Sequence, residues 1–323
     1  MSISSKYPST RARKTLLLAA IPISLLALVP LASNAASAAT VTTTATATPT
    51  PTPVPSISSN VAGRKLVVSD EFSGTAGTAP SSYIWQAIQG GGGWGNNELE
   101  TYTNRASNVS LDGKGDVAIT ARKETYTGKD GITRNYTSAR LLSNVSVKYG
   151  YIEARMFVPQ GQGLWPAFWT LGSDIYPKGY PYSGEIDIME ALNKMPTVFG
   201  TLHGPDSVHQ SVYGVGPKTS PAGGLAGAWH TYGIDWTSTA ITWFIDGKSY
   251  GSITKATMPA GAVWEFDKPH LMQLNLAVGG NWPGSPDATT PAVSTMLVDY
   301  VRVYSSTTSG VTPAIGYTKI NLG

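Results

Sequence analysis

The chain of 323 residues contains no cysteine and only four histidines. Without thiols there is no disulfide framework, no thiolate nucleophile, no zinc finger and no iron–sulfur cluster. The histidines fall in no HExxH or other paired spacing, which argues against a zinc hydrolase. Charged residues make up only 13%, too few for a charge-rich disordered protein or a coiled coil. No acid precedes Asp70, whereas Lys6, Arg11, Arg13 and Lys14 crowd the start; taking those four from the formal charge of +3 leaves −1. Such a near-neutral remainder has no electrostatic footprint for nucleic acid or an anionic membrane. The glycine-rich run Gly91–Gly95 lacks the GKS/T of a phosphate loop.

Long apolar runs are also scarce. The one present, residues 16–32, follows a basic start and precedes Ala36-Ser37-Ala38. Basic, apolar and small-residue segments in that order predict a secretory signal peptide over 1–38. The alternative, a membrane anchor, is weakened by Pro22 and Pro30 and by a length below the ~20 residues of a spanning helix. The Thr/Pro-rich stretch that follows, with TATATPTPTPVP at its centre, cannot bury a core and reads as a linker over 39–63. The mature protein is therefore expected outside the cell, with no membrane contact once the signal is cleaved. The absence of cysteine is compatible with that location.

What is abundant is glycine (35), proline (22) and tryptophan (9), the composition of many short strands joined by turns. Tyr151 to Val158 alternates, with Ile152, Ala154, Met156 and Val158 on one side. Ile241 to Ile245 runs into Asp246-Gly247, a tight hairpin signal. Val298 to Tyr304 is another strand-rich run. About 240 residues, 64–304, are thus expected to form an all-β antiparallel sandwich or barrel, followed by a frayed polar tail over 305–323.

The densest acidic feature is GEIDIME, Gly184 to Glu190. On a regular strand Glu185 and Asp187 share a face, and Glu190 points away. One extra residue in a bulge near Ile188-Met189 would bring all three acids onto one surface. A structural strand has no evident reason to accept that repulsion. Two carboxyls flanking a bond are the requirement of glycoside hydrolysis, with a third able to hold the nucleophile and tune both. Upstream, Trp165, Ala167 and Trp169 alternate in GLWPAFWTLG, offering two rings on which sugars could stack. Trp94, Asn96 and Asn97, together with Gln273 and Asn275 on one strand face, could extend the groove.

Taken in order, SDEF (69–72), GGGGWGNNELE (90–100), SARL (138–141), YGYIEARM (149–156), GLWPAFWTLG (163–172), GEIDIME (184–190), LHG (202–204), WHTYGIDW (229–236), NLAVGGNWPG (275–284) and VDYVRVY (298–304) resemble glycoside hydrolase family 16, and within it the laminarinase-like bacterial endo-β-1,3-glucanases. The resemblance spans essentially the whole folded region. It implies a concanavalin A-like β-jelly roll of two curved antiparallel sheets, the concave one forming an open groove. It implies retention of configuration, with Glu185 as nucleophile, Glu190 as general acid/base and Asp187 as their electrostatic helper. Implied sugar contacts are Asn97, Arg140, Trp165, Trp169 and His203. For His203 a hydrogen-bonded core role is the competing reading. No cofactor is expected for catalysis. A structural calcium ion away from the groove is implied at Glu71, Gly113 and Asp299, and a monomer acting on β-glucan is expected. Glu100 departs from the resemblance, because glutamine is expected there. The competing functions are a lichenase, a galactan-active enzyme, a transglycosylase and a non-catalytic, lectin-like glucan-binding sandwich. The three intact acids weigh against the last.

Overall fold

The computed structural model describes residues 60–61, 63–208, 211–305 and 314–317. The expected signal peptide and nearly all of the expected linker lie outside the described residues. In chain order the strands are β1 (Asn60–Val61), β2 (Arg64–Asp70), β3 (Trp85–Ile88), β4 (Glu100–Tyr102), β5 (Val109–Leu111), β6 (Val117–Thr127), β7 (Thr133–Ser138), β8 (Arg140–Lys148), β9 (Gly150–Phe157), β10 (Leu164–Gly172), β11 (Glu185–Ala191), β12 (Val198–Asp206), β13 (Ser211–Val215), β14 (Lys218–Thr219), β15 (Trp229–Trp236), β16 (Ala240–Ile245), β17 (Lys248–Thr254), β18 (His270–Val278), β19 (Val293–Tyr304) and β20 (Ala314–Tyr317). The only helical pieces among the described residues are Ile175–Lys178 and Lys255–Thr257.

The strands form two sheets. Eleven make one, with β17-β16-β15-β9-β19-β6-β7-β4 as its spine. Nine make the other, with the order β13-β12-β11-β10-β18-β8-β20. All pairings are antiparallel except β4 with β7. The alternation expected in Tyr151–Val158 is realised: Ile152, Ala154, Met156 and Val158 are fully buried between the sheets. On the opposite face of β9, Tyr151 and Glu153 are buried and Arg155 and Phe157 half-buried; Arg64 lies over the Tyr151 ring at 4.2 Å. The Asp246-Gly247 turn has both residues at positive φ, 49° and 72°, which matches the twist of the β16–β17 hairpin. Phe168, Trp236, Trp243 and Phe266 are among the largest fully buried side chains between the layers.

Two boundaries differ from the sequence reading. Asn60–Val61, assigned to the linker, pairs with Arg64–Lys65. Ala314–Tyr317, assigned to a frayed tail, pairs antiparallel with Val145–Lys148. The reason is that β3 covers only Arg140–Ser143 of β8, leaving free peptide groups that a late segment can satisfy. Tyr317 also stacks on Tyr83 at 5.0 Å between ring centroids.

Candidate active site

The carboxylates stand on β11, in the middle of the nine-stranded sheet. Across to β10, Trp169 faces Asp187 and Ala167 faces Glu190. Across to β12, Thr201 faces Asp187 and Phe199 faces Glu190. On both sides three steps along β11 match two steps along its neighbour, so one extra residue is bulged out between Asp187 and Glu190. Ile188 and Met189 are both buried in the core, and Glu190 returns to the face that carries Glu185 and Asp187. A bulge leaves ladder groups unpaired. Here the Asp187 carbonyl accepts a 2.7 Å bond from the Trp243 indole N–H, which reaches it through the core from the other sheet. Gly200 makes room for that ring: a Cβ at 200 would lie 2.3 Å from it.

Burial raises all three carboxyls above their ordinary range, and their titrations interact. Glu185 is pushed up to about 8, by burial and then by Asp187, while His203 and Arg140 pull it down. Asp187 is likewise pushed up to about 8 by burial. Glu190 is raised by burial and by the charges of both other acids; His203 and a 3.0 Å bond from the Trp165 indole N–H oppose this. The Arg140 guanidinium favours the ionised form of Glu185, whereas Glu190 has both other acids against its ionised form. The shared proton therefore belongs on Glu190. His203 lies opposite Glu185 in the register, with Nε2 3.1 Å from Asp187 Oδ2. It faces the acids and is no core histidine. Glu185, Asp187 and His203 present donor atoms within 4.8 Å of one another, but the imidazole and the Asp187 carboxylate are already engaged with each other.

Trp165, Ala167 and Trp169 alternate onto the same face. The Trp169 indole N–H donates to Asn275 Oδ1 at 2.7 Å. The Arg140 guanidinium lies 4.6 Å from the Trp169 ring and 5.2 Å from Trp94, and its Nε donates to Gln273 Oε1 at 2.8 Å. A cavity of about 450 Å³ is lined by the three acids, both β10 tryptophans, Trp94 and Tyr180. A second of about 610 Å³ shares Trp94, Arg140, Leu171 and Ile175 with it and reaches Gln273 and Tyr176. On the other side of the acids the half-exposed Trp282 meets Trp165 edge-on at 5.4 Å and Phe199 at 4.9 Å. The aromatic floor thus continues past the carboxylates in both directions, as a polymer bound across its interior requires.

Of the residues expected in this groove, Arg140, Trp165, Trp169 and Asn275 line the cavity with the acids, His203 meets Asp187, and Gln273 lines the adjoining cavity. Asn97 does not line the cavity. At φ 58° its backbone turns the side chain to the exposed rim, where it bonds Asn281 at 2.9 Å, and Asn96 lines the groove instead. Tyr102, Glu98, Tyr180 and Trp282 were not singled out from the sequence. Trp282 stands in a quoted motif, NWPG, and its exposure was the missing signal. Tyr180 sits close enough to the acids for all three to raise its phenol, after burial. The residues of the expected calcium site lie on the other sheet and its loops. There the Glu71 carboxylate takes two bonds from Arg302, at 3.0 and 2.6 Å, and Asp299 pairs with Arg155 at 2.6 Å.

A tryptophan-floored groove on a jelly-roll sheet, with three carboxyls set in a bulged strand, defines a glycoside hydrolase. The chain belongs to glycosyl hydrolases family 16, whose family pattern matches residues 96–302. An endo-β-1,3-glucanase structure from Pyrococcus furiosus is 43% identical, with a TM-score of 0.69, over 76% of this chain and 96% of that one. The clotting factor G alpha subunit of Tachypleus tridentatus is 38% identical over 76% of this chain and 35% of its own length. The glucan endo-1,3-beta-glucosidase A1 of Niallia circulans is 36% identical over 76% and 38%. The chain therefore spans between a third and two fifths of the length of these two curated relatives.

Proposed function

We propose that the chain is a secreted, endo-acting hydrolase of β-1,3-glucan that retains anomeric configuration. The observation that carries this reading is the bulged row Glu185–Asp187–Glu190 within an aromatic floor open on both sides. The names of the relatives supply the linkage. In the first step a Glu185 oxygen attacks the anomeric carbon while Glu190 gives its proton to the departing glycosidic oxygen. In the second, Glu190 takes a proton from water, and the resulting nucleophile displaces the sugar from Glu185. Asp187, held by His203, keeps Glu185 in place. The chemistry needs no cofactor.

The test is product analysis on two soluble polymers, a β-1,3-glucan and a mixed-linkage β-1,3/1,4-glucan. Short oligosaccharides released early from the first, as the β-anomer by proton NMR, are expected. Cleavage of the second alone would reassign the linkage. No cleavage of either would overturn the glucanase reading and direct attention to galactans and to sugar binding without hydrolysis. Export is tested separately, by sequencing the N-terminus of protein recovered from the medium, with a start at about residue 39 expected.

A structural calcium ion fits one part of its expected site and not another. Asp116, beside the Gly113 loop, is pushed up to about 7 by burial and then by Asp112 and Asp299, a surplus of negative charge that a hard cation would relieve. The Glu71 side chain is committed to Arg302, so it could serve only through its backbone carbonyl. A chelator should lower the melting temperature by several degrees, with calcium restoring it. An unchanged melt would remove the ion from the proposal.

A further inference from the structure

The other acidic pair of the groove is Glu98 and Glu100. Glu100 is completely buried on β4. Its Oε2 accepts the Val278 N–H at 2.8 Å, and its Oε1 is buried with no donor. The carboxyl of Glu98 lies within hydrogen-bonding reach. Glu98 is half-buried and lines the groove, whereas Glu100 is wholly out of water; a buried carboxyl beside a second carboxyl favours its neutral form, so the pair holds a proton. Burial raises Glu98 as well, but it has more to hold its charge: it accepts from Asn96 Nδ2 at 3.3 Å and from the Tyr102 hydroxyl at 3.2 Å, and it feels the Arg140 guanidinium. Glu100 has only backbone donors, chiefly the Val278 N–H, and full burial, and is the member that keeps the proton.

We propose that Glu100 is a positioning residue that carries a proton in the working enzyme and donates it to Glu98, anchoring a directed hydrogen-bond chain that ends in the floor of the groove. Every link has one possible sense. The Trp169 N–H donates to Asn275 Oδ1 at 2.7 Å, Asn275 Nδ2 donates to the Tyr102 oxygen at 3.2 Å, and the Tyr102 O–H donates to Glu98. Glu98 is the common acceptor, and Glu100 fixes it from behind. Ionised Glu100 would repel Glu98, release Tyr102 and free the Asn275 and Trp169 side chains on which a sugar rests. A glutamine at 100 would offer the same donor at every pH, so the acid makes the groove's order depend on a proton.

The groups that face Glu100 decide how firmly the proton is held. Glu98 and Tyr102 flank it on its own strand and loop, Arg140 approaches from β8, and β7 places Tyr136 in register beside it. From β18 the uncharged Val278 meets it through its backbone N–H. Burial and the Glu98 charge, the two largest effects, both hold the proton on.

The inference rests on the glucanase reading only for its kinetic consequence, and the first measurement needs no substrate. The Val278 amide of the unaltered protein reports on Glu100 by proton–nitrogen NMR. Its shift should stay flat through about pH 4.3, where an ordinary glutamate titrates, and move only on the alkaline side. A midpoint near the ordinary value would overturn the proposal. Glu100→Gln should then keep KM for soluble β-1,3-glucan level as pH rises, while the unaltered enzyme loses about tenfold in KM over the same range. Parallel KM profiles for the two proteins would also overturn it. If neither cleaves β-1,3-glucan, the NMR titration still decides the proton, and the glucanase reading alone fails.

Discussion

In the proposed reaction Glu190 holds a proton in the free enzyme and surrenders it once per turnover. Its surroundings achieve the first by keeping two other carboxyls close and water away. The cost appears as a pH-dependent stability. A carboxyl whose folded pKa lies above its unfolded value binds more protons when native, so stability falls as pH rises between the two values. For Glu185 that window runs from the ordinary range up to about 8, and Glu190 is raised for the same reason. Glu190→Gln removes one contributor. Its melting temperature should match that of the parent in acid and exceed it by roughly 2–4 °C near pH 8, the shift for about 1 kcal/mol in a domain of this size. Its kcat on unactivated glucan should fall by about 10²- to 10⁴-fold. A stability gain that did not grow with pH would mean that the cluster is not strained. The rate of the parent should be bell-shaped in pH, with the acid limb marking ionisation of Glu185 and the alkaline limb loss of the Glu190 proton.

At the scale of the strand, the bulge is one solution to facing three acids inward and not the only one. Without the extra residue, acids at alternate positions would face the groove by ordinary pleating. Deleting Ile188 should therefore leave hydrolysis within about tenfold of the parent. It should also cost about 2–5 kcal/mol, because a side chain only 1% exposed leaves the core. Loss of all activity in a folded variant, measured on soluble glucan beside a melting curve, would show that the bulge sets the spacing of the acids as well as their facing. Strand pattern made this element legible in advance: the odd spacing of Glu190 required a bulge, and the registers on both sides contain one. The late strand β20 was not legible. Its four residues are too few for the alternation of Ile315 and Tyr317 to mark a strand, and they pair where β8 offers a free edge.

Across the whole molecule, the two sheets cooperate at one atom. Trp243 belongs to the sheet away from the groove, yet its indole satisfies the Asp187 carbonyl at the bulge. Trp243→Phe keeps most of the ring but removes the donor. It should cost about 1–3 kcal/mol and lower kcat, although residue 243 does not line the groove. Unchanged kinetics with lowered stability would confine the contact to packing. Gly200→Ala should be disruptive for the complementary reason, since its Cβ would meet the same ring. A thermal melt of each variant against the parent checks both.

The sequence alone determined the strand periodicity of β9 and β16, the turn at Asp246-Gly247, the bulge and the three acids, because each is written in the order of neighbouring residues. Burial, approach across the core and edge pairing depend on residues far apart in the chain. Only the tertiary structure therefore decided that His203 answers the acids, that Asn97 turns to the rim, and that Trp282 prolongs the floor. The same holds for Glu100, one charged letter in the sequence. Complete burial beside Glu98, with backbone N–H groups alone to receive it, is what the proposed change of that letter from an anion into a donor rests on.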